Sequence, residues 1–223
     1  MASHLDLEEQ EQLDELKHYW KRWGNLISWL LIAVLGGYAA WMGWQSYSAK
    51  QSAQSAVLYD TVERAALSGD MALFDRSVSD IKDKFATTTY AQQAALLAAR
   101  LYQDKDRKAD AKVQLAWVID KASDEGYQAL ARLRLAALLI EEKAYDEARK
   151  QLTAKTPESF APLMADRVGD LAMLQAQREE AVQQYKNAWK GLEPTAEYRR
   201  LVAVKLAALG ADPEDKSQAE IKK

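Results

Sequence analysis

Residues 165–194 read ADRVGDLAMLQAQREEAVQQYKNAWKGLEP, and the spacing of small and large side chains in this stretch decides the fold. Gly169 is followed twelve positions later by Ala181, then by Tyr185 and Ala188, and the segment closes on Pro194. That order predicts two helices packed as a hairpin. The small residues sit where the helices approach most closely, the tyrosine fills the space between them, and the proline cannot continue the second helix. The same spacing recurs upstream as Ala99, Ala111 and Leu115, and again as Ala136, Ala148 and Leu152. Ala111, Ala148 and Ala181 lie 37 and 33 residues apart. The first copy also keeps Tyr102 and Val118, while the second keeps Tyr145 but carries Lys155 where the pattern wants alanine.

A helical hairpin repeating at this period resembles the tetratricopeptide pattern. Polar turns at 68–70, 87–89, 104–108, 123–126, 156–157 and 191–194 bound the helices. Segments 53–67 and 71–85 keep only the helical period and read as a degenerate first repeat. A single helix over 196–209, with Arg199, Arg200 and Lys205 on its polar side, suits a terminal cap. The charged, proline-broken segment 210–223 reads as disordered. The expected fold class is therefore all-α, a tetratricopeptide-like helical-hairpin solenoid, with a generic helical bundle as the alternative. Composition agrees: Ala and Leu together supply 67 of 223 residues, against 23 for Val, Ile and Thr.

The region upstream of the repeats has a different character. No charge occurs between Arg22 and Lys50, and the apolar centre LISWLLIAVLGGYAAWMGW spans residues 26–44. At about 1.5 Å per residue this reaches roughly 28 Å, close to the ~30 Å hydrocarbon thickness of a bilayer. Trp20, Trp23, Trp41, Trp44 and Tyr47 stand at its two ends, where interfacial aromatic rings belong. The alternatives are a core helix of a soluble protein and a signal peptide cleaved near Gly37-Tyr38-Ala39. The long acidic region before the span, and the tryptophans after the cut, favour an uncleaved signal anchor. Lys17, Lys21 and Arg22 precede the span closely, and Lys50 alone follows it before Arg64, which places the N-terminus in the cytoplasm.

The expected layout is a cytoplasmic tail over 1–22 and a transmembrane anchor over 23–49. A periplasmic repeat domain over 50–209 and the tail 210–223 follow. This is a single-pass, type II protein of the cell inner membrane. Ala33, Gly36, Gly37, Ala39, Ala40 and Gly43 form three overlapping small-xxx-small pairs, the kind of face on which membrane helices pack together. Leu13, Leu16, Trp20 and Trp23 form one stripe of a helix that could lie at the membrane surface.

Several function classes fall away on composition. The chain has no cysteine, and its two histidines, His4 and His18, both precede the anchor. Imidazole bases, thiolate nucleophiles and Cys- or His-ligated metals therefore have nothing to use downstream. Residues 1–49 hold 3 basic and 6 acidic side chains, which leaves 27 of each in 50–223. A neutral domain lacks the electrostatic footprint of a nucleic-acid binder. Adjacent carboxylates occur at Glu141-Glu142, Glu179-Glu180 and Asp124-Glu125, but at hairpin ends, where solvation explains them. No phosphate loop or nucleophile elbow is present. The chain reads as a non-enzyme without cofactors.

Partner binding then falls to the first helix of each hairpin, at the second, fifth, ninth and twelfth repeat positions. These are Gln93, Leu96, Arg100 and Gln103, then Leu130, Leu133, Ala137 and Ile140, then Leu163, Asp166, Asp170 and Met173. The middle set is wholly apolar, which on a wet surface marks a partner site. With the register shifted by one, the same leucines would be core.

The order of features resembles one family, the ancillary subunits of the bacterial SecYEG translocon (YfgM-like proteins). The resemblance rests on Asp6-Leu7-Glu8-Glu9-Gln10-Glu11-Gln12-Leu13, the Trp/Gly-rich anchor, Ala165-Asp166-Arg167-x-Gly169-Asp170, and Pro194-Thr195-Ala196 before the cap. It implies a membrane-tethered periplasmic adaptor associated with the SecYEG translocon and with a membrane-anchored periplasmic chaperone of the prolyl-isomerase class. Such a protein helps pass exported chains to periplasmic chaperones. The alternative is a structural scaffold or signalling regulator acting through the cytoplasmic tail.

Overall fold

The computed structural model describes residues 7–213, without the side chains of 7–16 and Tyr19. The expected tail segments 1–6 and 214–223, and the side chains of Leu13 and Leu16, lie outside the described residues. All regular structure among the described residues is helical. The chain divides into two compact units, Met1–Ala53 and Gln54–Lys223.

The first unit is helix throughout its described part and belongs to α1, Leu7–Ser68. This helix is long and apolar enough to cross a membrane, and its most apolar stretch is wholly unburied. Trp29, Leu30, Leu35, Trp41 and Trp44 are all more than half exposed. Apolar surface of that extent is stable in lipid and costly in water. Built Cβ atoms at Gly36, Gly37 and Gly43 meet nothing within 4 Å, so the small-residue face is uncovered in the single chain.

The second unit is a row of helical hairpins. The end of α1 pairs with α2 (Met71–Phe85), and α3 (Thr89–Asp104) pairs with α4 (Lys108–Lys121). Next come α5 (Glu125–Glu141) with α6 (Tyr145–Leu152), and α7 (Ala161–Leu174) with α8 (Arg178–Gly191), before the cap α9 (Glu197–Ala208). The sequence suggests a separate helix over 53–67, whereas these residues are the last turns of α1. No glycine or proline lies between Gly43 and Gly69, so nothing in the chain ends the helix earlier. Gly69, at φ +75°, makes the stop, and the Asp70 side chain then caps α2 by accepting from the Leu73 N–H at 3.0 Å.

The aligned positions of the three hairpins are all buried: Ala99, Ala136 and Gly169 in the first helices, Ala111, Ala148 and Ala181 in the second, with Leu115, Leu152 and Tyr185 between. Gly169 is expected to face Ala181; its nearest neighbour is instead Tyr185, one turn further along α8. A Cβ at Gly169 would come within 2.6 Å of that ring, so the glycine is the space that the tyrosine fills. Lys155, where the pattern wants alanine, falls outside any helix, because α6 ends after eight residues and a 3-10 turn at Glu158–Phe160 leads into α7.

The repeat extends to the backbone. Asp106, Lys143 and Ala176 adopt left-handed φ of 58°, 61° and 59° between the two helices of successive hairpins. After each, the next N–H reaches back to close the preceding helix: Arg107 to the Tyr102 carbonyl at 2.7 Å, Ala144 to Leu139 at 2.9 Å, and Gln177 to Ala172 at 2.9 Å. This is the Schellman closure, made without glycine. Ion pairs tie one hairpin to the next. Lys108 meets Glu141 at 3.0 Å, Lys112 meets Glu142 at 2.6 Å, and Arg149 meets Glu180. Glu141, Glu142 and Glu180 therefore have specific partners, beyond solvation. The Arg149 hydrogen bond holds Glu180 below the usual carboxylate range.

Candidate functional site

The first helices of the hairpins present their side chains to a common face, and the last two, α5 and α7, build a groove there. Leu130, Leu133 and Ala137 of α5 line it opposite Leu163 of α7, with Arg134, Arg167 and Tyr198 around them. It offers about 340 Å³ and is open to solvent. The four apolar residues stand in a row because 130, 133 and 137 follow the helical i, i+3, i+7 period and α7 runs alongside. Their side chains are half-buried except Ala137, which is exposed, so they are neither sealed in the core nor free of it. Leu133 also packs against the cluster formed by Ala129, Ala136, Ala148, Leu152, Met164, Val168 and Leu171.

The remaining predicted residues are dispersed. Leu96 is 6% exposed and belongs to the core built by α1 to α5, which corrects its expected place on the binding face. Ile140 is half-buried against the same cluster as Leu133. Gln93 donates to the Tyr127 hydroxyl at 2.9 Å, and Met173 is exposed beyond the groove. Arg100 and Gln103 line a neighbouring recess of about 240 Å³ with Ala99, Leu115 and Arg134.

Asp166 is the second correction. It is fully buried, its carboxylate accepting from Tyr198 Oη at 2.6 Å and from Lys205 Nζ at 2.8 and 2.9 Å. Asp170 accepts from Lys205 at 2.6 Å, from the Tyr185 hydroxyl at 2.8 Å and from Arg167 at 3.1 Å. The third hairpin thus spends its polar binding positions on the cap helix. Burial, and then the hydrogen bond to Asp166, push the Tyr198 hydroxyl up to about 12. Burial and Asp170 push Tyr185 up as well.

Arg134, Arg167 and Tyr198 were not among the predicted residues. Arg134 could have been found, since it lies four positions after Leu130 on the same helical face, but a four-position template passes over it. Tyr198 has no such signal, because it reaches the groove only through the docking of α9. Arg134 donates to the Leu96 carbonyl at 3.3 Å, one turn before Arg100. Burial, and then the charge of Arg100, pull its guanidinium below the ordinary arginine range.

Comparison with known proteins agrees with this architecture. A family model for a tetratricopeptide repeat-like domain matches residues 17–211. A Neisseria gonorrhoeae protein named ancillary SecYEG translocon subunit is 33% identical over 210 residues, covering 94% of this chain and 100% of the relative. Proteins of the same name from Haemophilus influenzae and Escherichia coli are 26% and 25% identical, each over 82% of this chain and 89% and 85% of their own length.

Proposed function

We infer a function from one premise: the chain belongs to the tetratricopeptide repeat-like family of ancillary SecYEG translocon subunits. In the reading we propose, it is a membrane-tethered adaptor that associates with the SecYEG translocon and acts by binding protein, without chemistry of its own. The association is taken from the names of its relatives. The anchor is the N-terminal part of α1. It holds the repeat domain on the periplasmic face of the inner membrane, with the N-terminus in the cytoplasm, as Lys17, Lys21 and Arg22 favour. From there the domain passes exported chains to periplasmic chaperones, among them a membrane-anchored one of the prolyl-isomerase class.

The groove between α5 and α7 carries this reading. It is an apolar surface on the wet side of an otherwise neutral domain, with no side chain of the repeats laid over it. The decisive experiment is extraction of the native complex in mild detergent, comparing the unaltered chain with Leu133→Lys. Translocon subunits or a chaperone should co-purify with the first and be lost from the second. Because Leu133 is half-buried, the variant should melt a few degrees lower yet keep its helicity. A folded Leu133→Lys chain that retains all its partners would put binding elsewhere and sink the groove assignment.

A further inference from the structure

The two recesses on the binding face share one wall, Arg134, and among the described residues no carboxylate lines either of them. That is unusual here, because residues 50–223 carry 27 acidic side chains against 27 basic. Three other arginines of the repeats are held by carboxylates. Arg107 meets Asp75 and Asp110, Arg149 meets Glu180, and Arg167 meets Asp170. Among the described residues, Arg100 and Arg134 are paired with no carboxylate, although they line the same recess. The two like charges oppose each other across it. An anion arriving at the recess is attracted by both guanidiniums.

We propose that the groove takes a segment of a partner protein in which a carboxylate side chain neighbours a branched aliphatic one. The aliphatic side chain enters the recess walled by Leu130, Leu133 and Leu163, and the carboxylate lies across Arg100 and Arg134. This deepens the reading of the groove as a partner site and rests on it. Charge complementarity selects this occupant. A basic segment would add a further positive charge to the site, and a purely apolar one would leave both guanidiniums without a carboxylate. The apolar recess beside the arginines also distinguishes a peptide from a simple anion, since it has room for a side chain of leucine size.

The test uses the full chain in nanodiscs of zwitterionic lipid and fluorescence anisotropy of two capped peptides. One is Gly-Leu-Asp-Glu-Leu-Gly and the other its amide analogue, Gly-Leu-Asn-Gln-Leu-Gly. At low salt the acidic peptide should bind about tenfold more tightly, and the margin should shrink as salt screens the arginines. Arg100→Gln with Arg134→Gln should erase the preference while circular dichroism stays unchanged. Arg100→Gln alone, on an exposed side chain, should reduce it. Leu133→Lys should weaken the amide peptide. Equal binding of the two peptides, each lost in Leu133→Lys, would overturn the charge assignment and leave the groove as a partner site. Absence of binding by either peptide would overturn the proposal outright. Tighter peptide binding after deletion of residues 214–223 would give the groove to the chain's own tail and equally overturn it.

Discussion

Asp106, Lys143 and Ala176 occupy a left-handed backbone position that L side chains adopt at a cost on the order of 1 kcal/mol, and glycine adopts freely. All three sit where a helix must close so that its hairpin partner can turn back, and the chain accepts the strain there. Ala176 is the cleanest of the three to alter, because its exposed methyl group takes no part in the core. Ala176→Gly should therefore raise stability by about 0.5–1 kcal/mol, seen as a higher melting temperature. Ala172→Gly, four residues back in the buried interior of α7, should lower stability by at least as much. If Ala176→Gly were the destabilising change, the Schellman geometry between α7 and α8 would be incorrect.

At the scale of elements, α9 is held by more than apolar contact. Val202 and Leu206 are fully buried in a cluster with Ala181, Tyr185 and Ala188, and Arg199 stacks over the Trp189 ring at 3.8 Å. The decisive contact is Lys205, whose ammonium lies between Asp166 and Asp170. Asp166 has no access to water, so removing its cation strands a buried charge. Breaking a buried pair from one side typically costs about 3–5 kcal/mol, although replacing both partners together can be neutral. Lys205→Met should thus loosen α9 and the α7–α8 hairpin first. Hydrogen exchange should accelerate there while α3 and α4 keep their protection, since hairpins share stability mainly with their neighbours. A uniform acceleration through the whole domain would show that the repeats unfold as one unit.

At the scale of the whole molecule, the prediction concerns which side of the membrane each part occupies. Protease added to intact spheroplasts should digest the repeat domain and leave a fragment of a few kilodaltons containing the N-terminus. Full protection of the domain would reverse the proposed orientation, and a mature chain beginning near Ala40 would replace the anchor with a cleaved signal. The expected layout puts three basic residues just before the span and one just after it, so the orientation rests on a small charge difference close to the membrane. Adding two lysines immediately after residue 49 should weaken or invert it.

Composition, period and small-residue spacing were sufficient to read the helical hairpins, because a helix writes its buried face into the chain every three to four residues. Close helix contacts, moreover, admit only small side chains at fixed intervals. Ala99, Ala136 and Gly169 could be aligned for that reason, and so could the apolar anchor, whose length is set by the bilayer. The row Leu130, Leu133, Ala137 and Leu163 was also legible as a periodic apolar face. Three things were not. The fate of Asp166 depended on Lys205 and Tyr198, 39 and 32 residues away, and no local pattern encodes a contact made by docking α9. That Arg100 and Arg134 share one recess emerged only in space, because they lie on different helices 34 residues apart in the chain. Whether a side chain such as Leu96 is wall or core turns on a rotation of the helix by part of a turn. Packing against both neighbours sets that rotation, and one helix's own period does not contain it.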